Sequence, residues 1–213
     1  MKIHADALLF DMDGTLISSL DSVVRCWTRW AREYGVTEEF ARVSLHGRPA
    51  VEIIAELLPA ERIPEALARI ERLEIEDVAG VLVLPGTKDL LASLPGDRWA
   101  VVTSATRRLA EARLAEAGIR PPLLIAADDV VRGKPDPEPF LLAAGKLGAE
   151  PARCVVFEDA PAGLTAGRAG GMRTVALTTT HGRDELAADL VVGDLSAVSV
   201  QVSGATMAVS AAA

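Results

Sequence analysis

The sequence predicts an α/β fold, a mostly parallel β-sheet with helices on both faces and an all-helical insert after the first strand. Three observations predict it. Short apolar runs recur along the chain, each ending in polar or small residues. Helical patterns separate the later runs. Between residues 17 and 83 the rhythm breaks and only helical periodicity remains. Strands alternating with helices give βαβ units, and continuous apolar runs of this length suit strands buried on both faces.

The first run is ALLF (7–10), which leads into DMDGT. The segments SLDSVVRCWTRWAREYG, RPAVEIIAELLP and IPEALARIERLEIEDVAG follow. Their apolar residues recur three and four apart with charges between them, as on amphipathic helices. VLPGT (83–87) returns the chain through a Pro-Gly turn. The expected organisation is a catalytic core of residues 1–16 and 84–213, with a helical cap of residues 17–83 inserted.

WAVV (99–102) is the next strand and leads into TSAT. ATRRLAEARLAEAG (105–118) is helical and closes on Gly118. LLIAA (123–127) leads into two aspartates, Asp128 and Asp129, read as loop or helix-start residues. DPEPFLLAAGKLG (136–148) begins with prolines and ends in glycine, the usual helical asymmetry. CVVF (154–157) leads into EDAPAG and the short helix PAGLTAGRAGG. TVAL (174–177) and DLVV (189–192) complete a Rossmann-like sheet. VSVQVSGATMAVSA (198–211) alternates around a Ser-Gly pair and is expected as a β-hairpin at the sheet edge, with a disordered small-residue tail as the alternative for the last few positions.

The 213 residues suffice for one domain carrying a smaller insert. Half are hydrophobic, as in soluble globular proteins. The formal net charge of -8 argues against nucleic acid and anionic membranes as partners. It leaves room for a small anionic substrate, because a local pocket can be positive on an acidic protein. The two cysteines, Cys26 and Cys154, fit no metal spacing, and Cys154 opens an apolar run as a small buried hydrophobe. MKIHADALLFDMD lacks the apolar stretch of a signal peptide, and no run reaches membrane-span length. Cytoplasm is the expected compartment, and a monomer is expected because no spare apolar helix is evident.

In open parallel α/β sheets, ligands bind beyond the carboxyl ends of the strands. Asp11 and Asp13 follow the first run, Thr103 and Ser104 the second, and Glu158 and Asp159 a later one. Lys134, in RGKPDP, lies in a loop that reaches the same edge. Two acidic residues one position apart repel, and burying either is costly unless it is paired or metal-bound. Carboxylates without histidine or cysteine suit a hard, oxygen-loving cation, Mg²⁺ first. Such a cation and the lysine would each neutralise phosphoryl oxygens, while hydroxyls and backbone N–H groups hold the rest. The inventory matches phosphoryl transfer.

DMDGTL, VVTSAT, RGKPDP and FEDAPAG, in that order, resemble the four motifs of the haloacid dehalogenase-like superfamily. The helical block resembles that superfamily's C1 cap, and the match covers nearly the whole chain except the last dozen residues. Within the superfamily the chain most resembles bacterial sugar and polyol phosphatases, with LHGRPA and VLPGTKDLLASL contributing. The resemblance implies that Asp11 is the nucleophile, forming an aspartyl-phosphate. Asp13 would be the general acid/base and would ligate the metal through its backbone carbonyl. Thr103 and Ser104 would bind phosphate, with helix capping as the alternative for Ser104. Lys134 would balance charge on Asp11 and the phosphoryl group. Asp159 would be a metal ligand beside Asp11, with Glu158 joining directly, through water, or as a hydrogen-bond partner behind the ligands.

The cap would choose the substrate by closing over the site. His46 and Arg48 sit in a break between cap helices, Arg48 suited to a phosphate or hydroxyl and His46 to a polyol. Trp27 and Trp30 are read as core packing, and Arg107 as a solvated helix arginine. The implied activity is Mg²⁺-dependent hydrolysis of small sugar or sugar-alcohol phosphates. A β-phosphoglucomutase-type mutase is the alternative, but those members carry a histidine twelve residues after the nucleophile, where this chain has Val23. Dehalogenase members lack the aspartate corresponding to Asp13. Phosphonate-cleaving members need a cap lysine, and residues 17–83 contain none. A non-catalytic regulator on this fold would be expected to lose a motif residue, and none is missing. No GxxxxGK[ST] phosphate loop occurs.

Overall fold

The computed structural model describes residues 2–43, 50–204 and 206–211. The chain begins with β1 (Lys2–Ala5), β2 (Ala7–Phe10) and β3 (Ile17–Ser18). Helices α1 (Leu20–Tyr34), α2 (Thr37–Phe40), α3 (Ala50–Leu57) and α4 (Ile63–Glu76) follow. Next come β4 (Leu82–Val83), α5 (Thr87–Ala92), β5 (Trp99–Val102), α6 (Arg107–Glu116), β6 (Leu124–Ile125) and α7 (Glu138–Lys146). The chain continues with β7 (Cys154–Glu158), α8 (Pro161–Ala169), β8 (Arg173–Leu177), β9 (Leu190–Val192), β10 (Val198–Ser203) and β11 (Thr206–Ala211). They fall into two units, Met1–Ser18 with Leu82–Ala213, and Ser19–Val81.

The larger unit holds a six-stranded sheet of order β6-β5-β2-β7-β8-β9, with every neighbouring pair parallel. ALLF, WAVV and CVVFE are buried at every residue, as continuous apolar runs require. Leu9, Val102 and Val156 pack with Phe140 and Ala143 of α7. Leu8, Phe10, Val155 and Phe157 point to the opposite face and are also fully buried. Phe10 stacks on Phe157 with centroids 4.6 Å apart. Burying a side chain of that size contributes about 1.5–3 kcal/mol. Phe10 also pairs in register with Val101 and with Phe157. That register brings the residues after β2, β5 and β7 out at one edge.

Three features differ from the sequence-based expectation. The C-terminal hairpin forms, from Val198↔Ala211 to Ser203↔Thr206, but not at the edge of the parallel sheet. It pairs with β1 in a separate three-stranded sheet of order β1-β11-β10. KIHA is too short and too polar to announce β1, and its partner lies at the other end of the chain. The guanidinium of Arg153 clamps the junction, donating to both Asp6 oxygens at 3.1 and 2.7 Å and to Thr206 Oγ1 at 3.3 Å. LLIAA contributes only Leu124–Ile125 to the sheet, followed by a turn of 3₁₀ helix over Ala127–Asp129. Finally, the larger unit takes in β3 and β4, which pair antiparallel through Ile17↔Val83. Leu84 N–H also donates to Leu16 O at 3.0 Å, so the backbone ladder extends the core past residues 16 and 84.

The smaller unit packs α1, α3 and α4 around Trp27, Trp30, Ile53, Ile54, Ile70 and Leu73. Trp27 is 3% exposed and Trp30 is fully buried, so both are core residues as expected. Trp27 stacks on Phe40 at 5.9 Å, and Trp30 on Tyr34 at 4.7 Å. Trp30 Nε1–H donates to Ala66 O at 3.0 Å, satisfying its one polar group. His46 and Arg48 lie outside the described residues. Both cysteines are buried, and burial pushes their thiols up to about 11, which keeps them unreactive. Among the described residues no helix is long and apolar enough to cross a membrane.

Candidate active site

Asp11 leaves the end of β2, held by its own N–H to Phe157 O at 2.9 Å. The chain then folds into a tight turn in which the N–H groups of Leu16 and Ile17 both donate to Met12 O. Gly14 has φ 87, a left-handed conformation that favours glycine. A Cβ there would also lie 2.1 Å from Asp159 Oδ2. Both constraints place glycine in DMDGT, and together they bring the turn against the end of β7.

Lys134 reaches into this edge. Its ammonium donates to Asp11 Oδ1 at 2.6 Å, Glu158 Oε1 at 2.7 Å and Val102 O at 2.8 Å. Three donors meet three acceptors. The second oxygen of Glu158 accepts the N–H groups of Asp159 and Ala160, both at 3.1 Å. Any Cβ at residue 163 would lie 1.7 Å from Glu158 Oε1, so Gly163 keeps the start of α8 clear of that carboxylate. Asp159 accepts from Thr15 Oγ1 at 3.3 Å and from the Thr180 hydroxyl. Thr180 contacts His181 Nδ1 at 2.9 Å, so His181, given no role from sequence, stands behind an acidic residue of the site.

Asp11, Glu158 and Asp159 are all buried, and each offers an oxygen within 4.8 Å of the others. Burial holds the Asp11 carboxyl well above the usual carboxylate range; Lys134 opposes this, and Glu158 and Asp159 add to it. Burial and the Glu158 charge push Asp159 up to about 6, against the Thr180 hydrogen bond. Burial works to lower the Lys134 pKa, but the Asp11 and Glu158 carboxylates outweigh it and hold the ammonium above its ordinary value. One ammonium among three buried carboxylates leaves negative charge in excess. The cluster is therefore able to hold a metal, and its all-oxygen donor set fits a hard divalent cation.

Asp13 stands beside the cluster, its side chain 31% exposed. Arg113 Nη1 donates to its Oδ2 at 2.9 Å. Arg113 is 5% exposed and was not anticipated from sequence. The signal was present: in ATRRLAEARLAEAG it occupies the apolar face with Leu109, Ala110, Leu114 and Ala117, all buried. A charge at an apolar-face position needs a partner.

Thr103 is buried, and its hydroxyl oxygen accepts the N–H of Ala105 at 3.1 Å. Ser104 is exposed, and α6 starts only at Arg107 behind Thr106, so Ser104 does not cap that helix. Arg107 is not simply solvated. Its guanidinium donates to Asp129 Oδ2 at 2.5 Å and to Leu124 O at 3.2 Å, bracing the turn after β6. Asp128 accepts from Arg107 N–H at 3.4 Å, so both aspartates act as turn residues. A groove of about 500 Å³ along α6, lined by Arg107, Glu111, Leu114, Ile119, Arg120 and Leu124, includes none of the clustered carboxylates.

The haloacid dehalogenase-like hydrolase family profile matches residues 5–171. The chain is a haloacid dehalogenase-like hydrolase. The hydrolase is 38% identical to hexitol phosphatase A of Escherichia coli K12 over 205 residues, 93% of this chain and 95% of that protein. It is 40% identical to validoxylamine A 7'-phosphate phosphatase of Streptomyces hygroscopicus subsp. limoneus over 200 residues, covering 89% and 94% of the two chains. Among solved structures, CbbY of Rhodobacter sphaeroides in complex with phosphate aligns with a TM-score of 0.69 at 25% identity, over 90% of this chain and 95% of that one.

Proposed function

We propose that this hydrolase is a Mg²⁺-dependent phosphomonoesterase acting on small sugar or sugar-alcohol phosphates through an aspartyl-phosphate. The observation that carries the reading is the buried cluster of Asp11, Lys134, Glu158 and Asp159 at the strand ends. The similarity to hexitol phosphatase A over nearly the full length of both proteins supports the substrate class.

In this reading Asp11 attacks phosphorus, the ester P–O bond breaks, and Asp13 protonates the departing alkoxide. Asp13 then takes a proton from water as that water attacks phosphorus, releasing inorganic phosphate and restoring the Asp11 carboxylate. Lys134 stays bound to Asp11 and balances the charge that gathers on the phosphoryl oxygens. Thr103 and Ser104 hold the phosphate. Asp11, Glu158 and Asp159 would hold Mg²⁺ with the Asp13 carbonyl. A bound cation neutralises the excess carboxylate charge and one phosphoryl oxygen. The helical unit acts as the cap, with His46 and Arg48 as its substrate contacts. A cytoplasmic, monomeric enzyme completes the proposal.

The test is inorganic phosphate release over a panel of hexitol, hexose and glycerol phosphates and nucleotides, with Mg²⁺ and with chelator. Asp11→Asn controls for contaminating phosphatases. Metal-dependent release concentrated on sugar or polyol phosphates is expected. No release from any compound overturns the reading.

Metal binding carries a second prediction. The ordinary Asp159 pKa is 3.8, and its folded value is about 6. The folded value is the higher one, so the contribution of Asp159 to metal-free stability is full below its ordinary value. It is lost as pH rises toward 6. Protons and Mg²⁺ compete for this carboxylate. Mg²⁺ at a hundred times its Kd should stabilise the protein by about 2.7 kcal/mol near pH 7.5, and by clearly less near pH 5. Thermal unfolding with and without Mg²⁺ at the two pH values reads this directly. An equal shift at both would remove Asp159 from the ligand set.

A further inference from the structure

We propose that Arg113 is a positioning residue for Asp13, holding its carboxyl where the proton is exchanged with the substrate oxygen and later with water. The inference rests on the phosphatase reading and adds a residue to its machinery.

The contact is a buried guanidinium on one carboxyl oxygen. Arg113 Nη1 lies 2.9 Å from Asp13 Oδ2, with the arginine side chain 7% exposed and the aspartate side chain 31% exposed. A guanidinium taken out of water is costly, and packing alone gives no reason for one here. The neighbouring buried positions of α6 are Leu109, Ala110 and Leu114, and a leucine at 113 would continue that apolar face. The charge is explained by what it reaches, a carboxylate a hundred residues earlier in the chain.

The proposed role depends on where that carboxylate points. Asp13 lies beyond the strand, in the turn set by Met12 and Gly14, and it is the most exposed of the four acidic residues here. A short side chain at such a place has several rotamers within reach. Proton transfer requires heavy-atom separations of about 2.6–3.2 Å, so a misplaced carboxyl loses most of its effect. Arginine suits the task because it stays charged at all relevant pH values and its donors are fixed in a plane. Its helix begins directly after the Thr103 loop, so Arg113 also ties Asp13 to the element proposed to hold the phosphate.

The experiment compares Arg113→Met and Arg113→Lys, each alone and combined with Asp13→Asn. The substrates are a hexitol phosphate, whose alkoxide must be protonated to leave, and p-nitrophenyl phosphate, whose phenolate leaves without a proton. The readouts are kcat and KM for the first and the burst of p-nitrophenolate in the first turnover for the second. Arg113→Met should lower kcat on the hexitol phosphate by about 10²-fold, with KM within about twofold and the burst rate within about fivefold of wild type. Arg113→Lys, which keeps the charge but not the fork, should recover part of the loss. In the Asp13→Asn background, Arg113→Met should add little, because the group it positions no longer exchanges a proton.

Equal losses on both substrates, additive losses in the double variant, or a gain in activity would overturn the positioning role. So would wild-type kcat in Arg113→Met while Asp13→Asn is crippled, and that result would leave the phosphatase reading standing. An active enzyme unaffected by Asp13→Asn would overturn the acid/base assignment itself, and the Arg113 inference with it. If Arg113→Met does not fold, Arg113→Lys carries the test. Its smaller loss must show the same leaving-group dependence, or the inference fails.

Discussion

Asp11→Asn should lower phosphate release by roughly 10⁴-fold or more while the protein stays folded. Asparagine keeps the shape of the side chain and removes the oxygen anion proposed to attack phosphorus. No other group at the site replaces it, since Glu158 is tied through both oxygens to Lys134 and to two backbone N–H groups. The fold should survive because the substitution removes a charge that burial already disfavours. Lys134 keeps Glu158 and the Val102 carbonyl as partners. The variant should also respond less to Mg²⁺ in thermal unfolding, having lost one ligand. Circular dichroism, phosphate release and the Mg²⁺-induced shift together check the claim. Near-normal turnover in a preparation free of contaminating phosphatase would remove Asp11 as nucleophile.

Lys134→Met should cost both activity and stability. The ammonium sits 2.6 Å from Asp11 and 2.7 Å from Glu158, and all three side chains are nearly excluded from water. Removing the cation leaves two buried carboxylates facing each other and the Val102 carbonyl without this donor. Breaking a buried ion pair by deleting one partner costs about 3–5 kcal/mol. For a chain of this size that is a fall in unfolding midpoint of roughly 10 °C. The sign with pH follows from the carboxylates. Burial already holds the Asp11 carboxyl above its usual range and Lys134 opposes that, so without the lysine Asp11 holds its proton more tightly in the folded state and the penalty grows as pH rises. Turnover should drop by about 10³-fold, because in the proposed mechanism Lys134 also neutralises charge in the transition state. A variant as stable as the parent at about pH 8 would show that the lysine does not hold the site together.

The two substitutions differ in what made them foreseeable. DMDGT and RGKPDP are local signals. A strand ending in an Asp-x-Asp-Gly turn announces a charged edge, and a lysine between two turn formers announces a loop that can reach it. What the sequence did not announce is which carboxylates share the lysine and which one lies apart. Asp11 and Glu158 share it, while Asp13, only two residues from Asp11, faces Arg113 instead. An extended chain would put residues 11 and 13 on the same face, so it is the tight turn closed on Met12 O that separates the two aspartates. The same holds for Thr15 and Thr180 on Asp159, which come from distant parts of the chain.

By itself, the sequence determined the α/β class, the strands of the parallel sheet, the helices α1, α3 and α4, and the set of groups at the strand ends. Each depends on periodicity or on turn chemistry within a few residues, and such preferences act before any tertiary contact exists. The tertiary structure alone decided that β1 closes a second sheet with the C-terminal hairpin, that Arg107 braces the turn after β6, and that Arg113 reaches Asp13. These are pairings between residues far apart in the chain. Their energies come from excluding water around a particular partner, and a linear sequence lists donors and acceptors without saying which of them burial will force together.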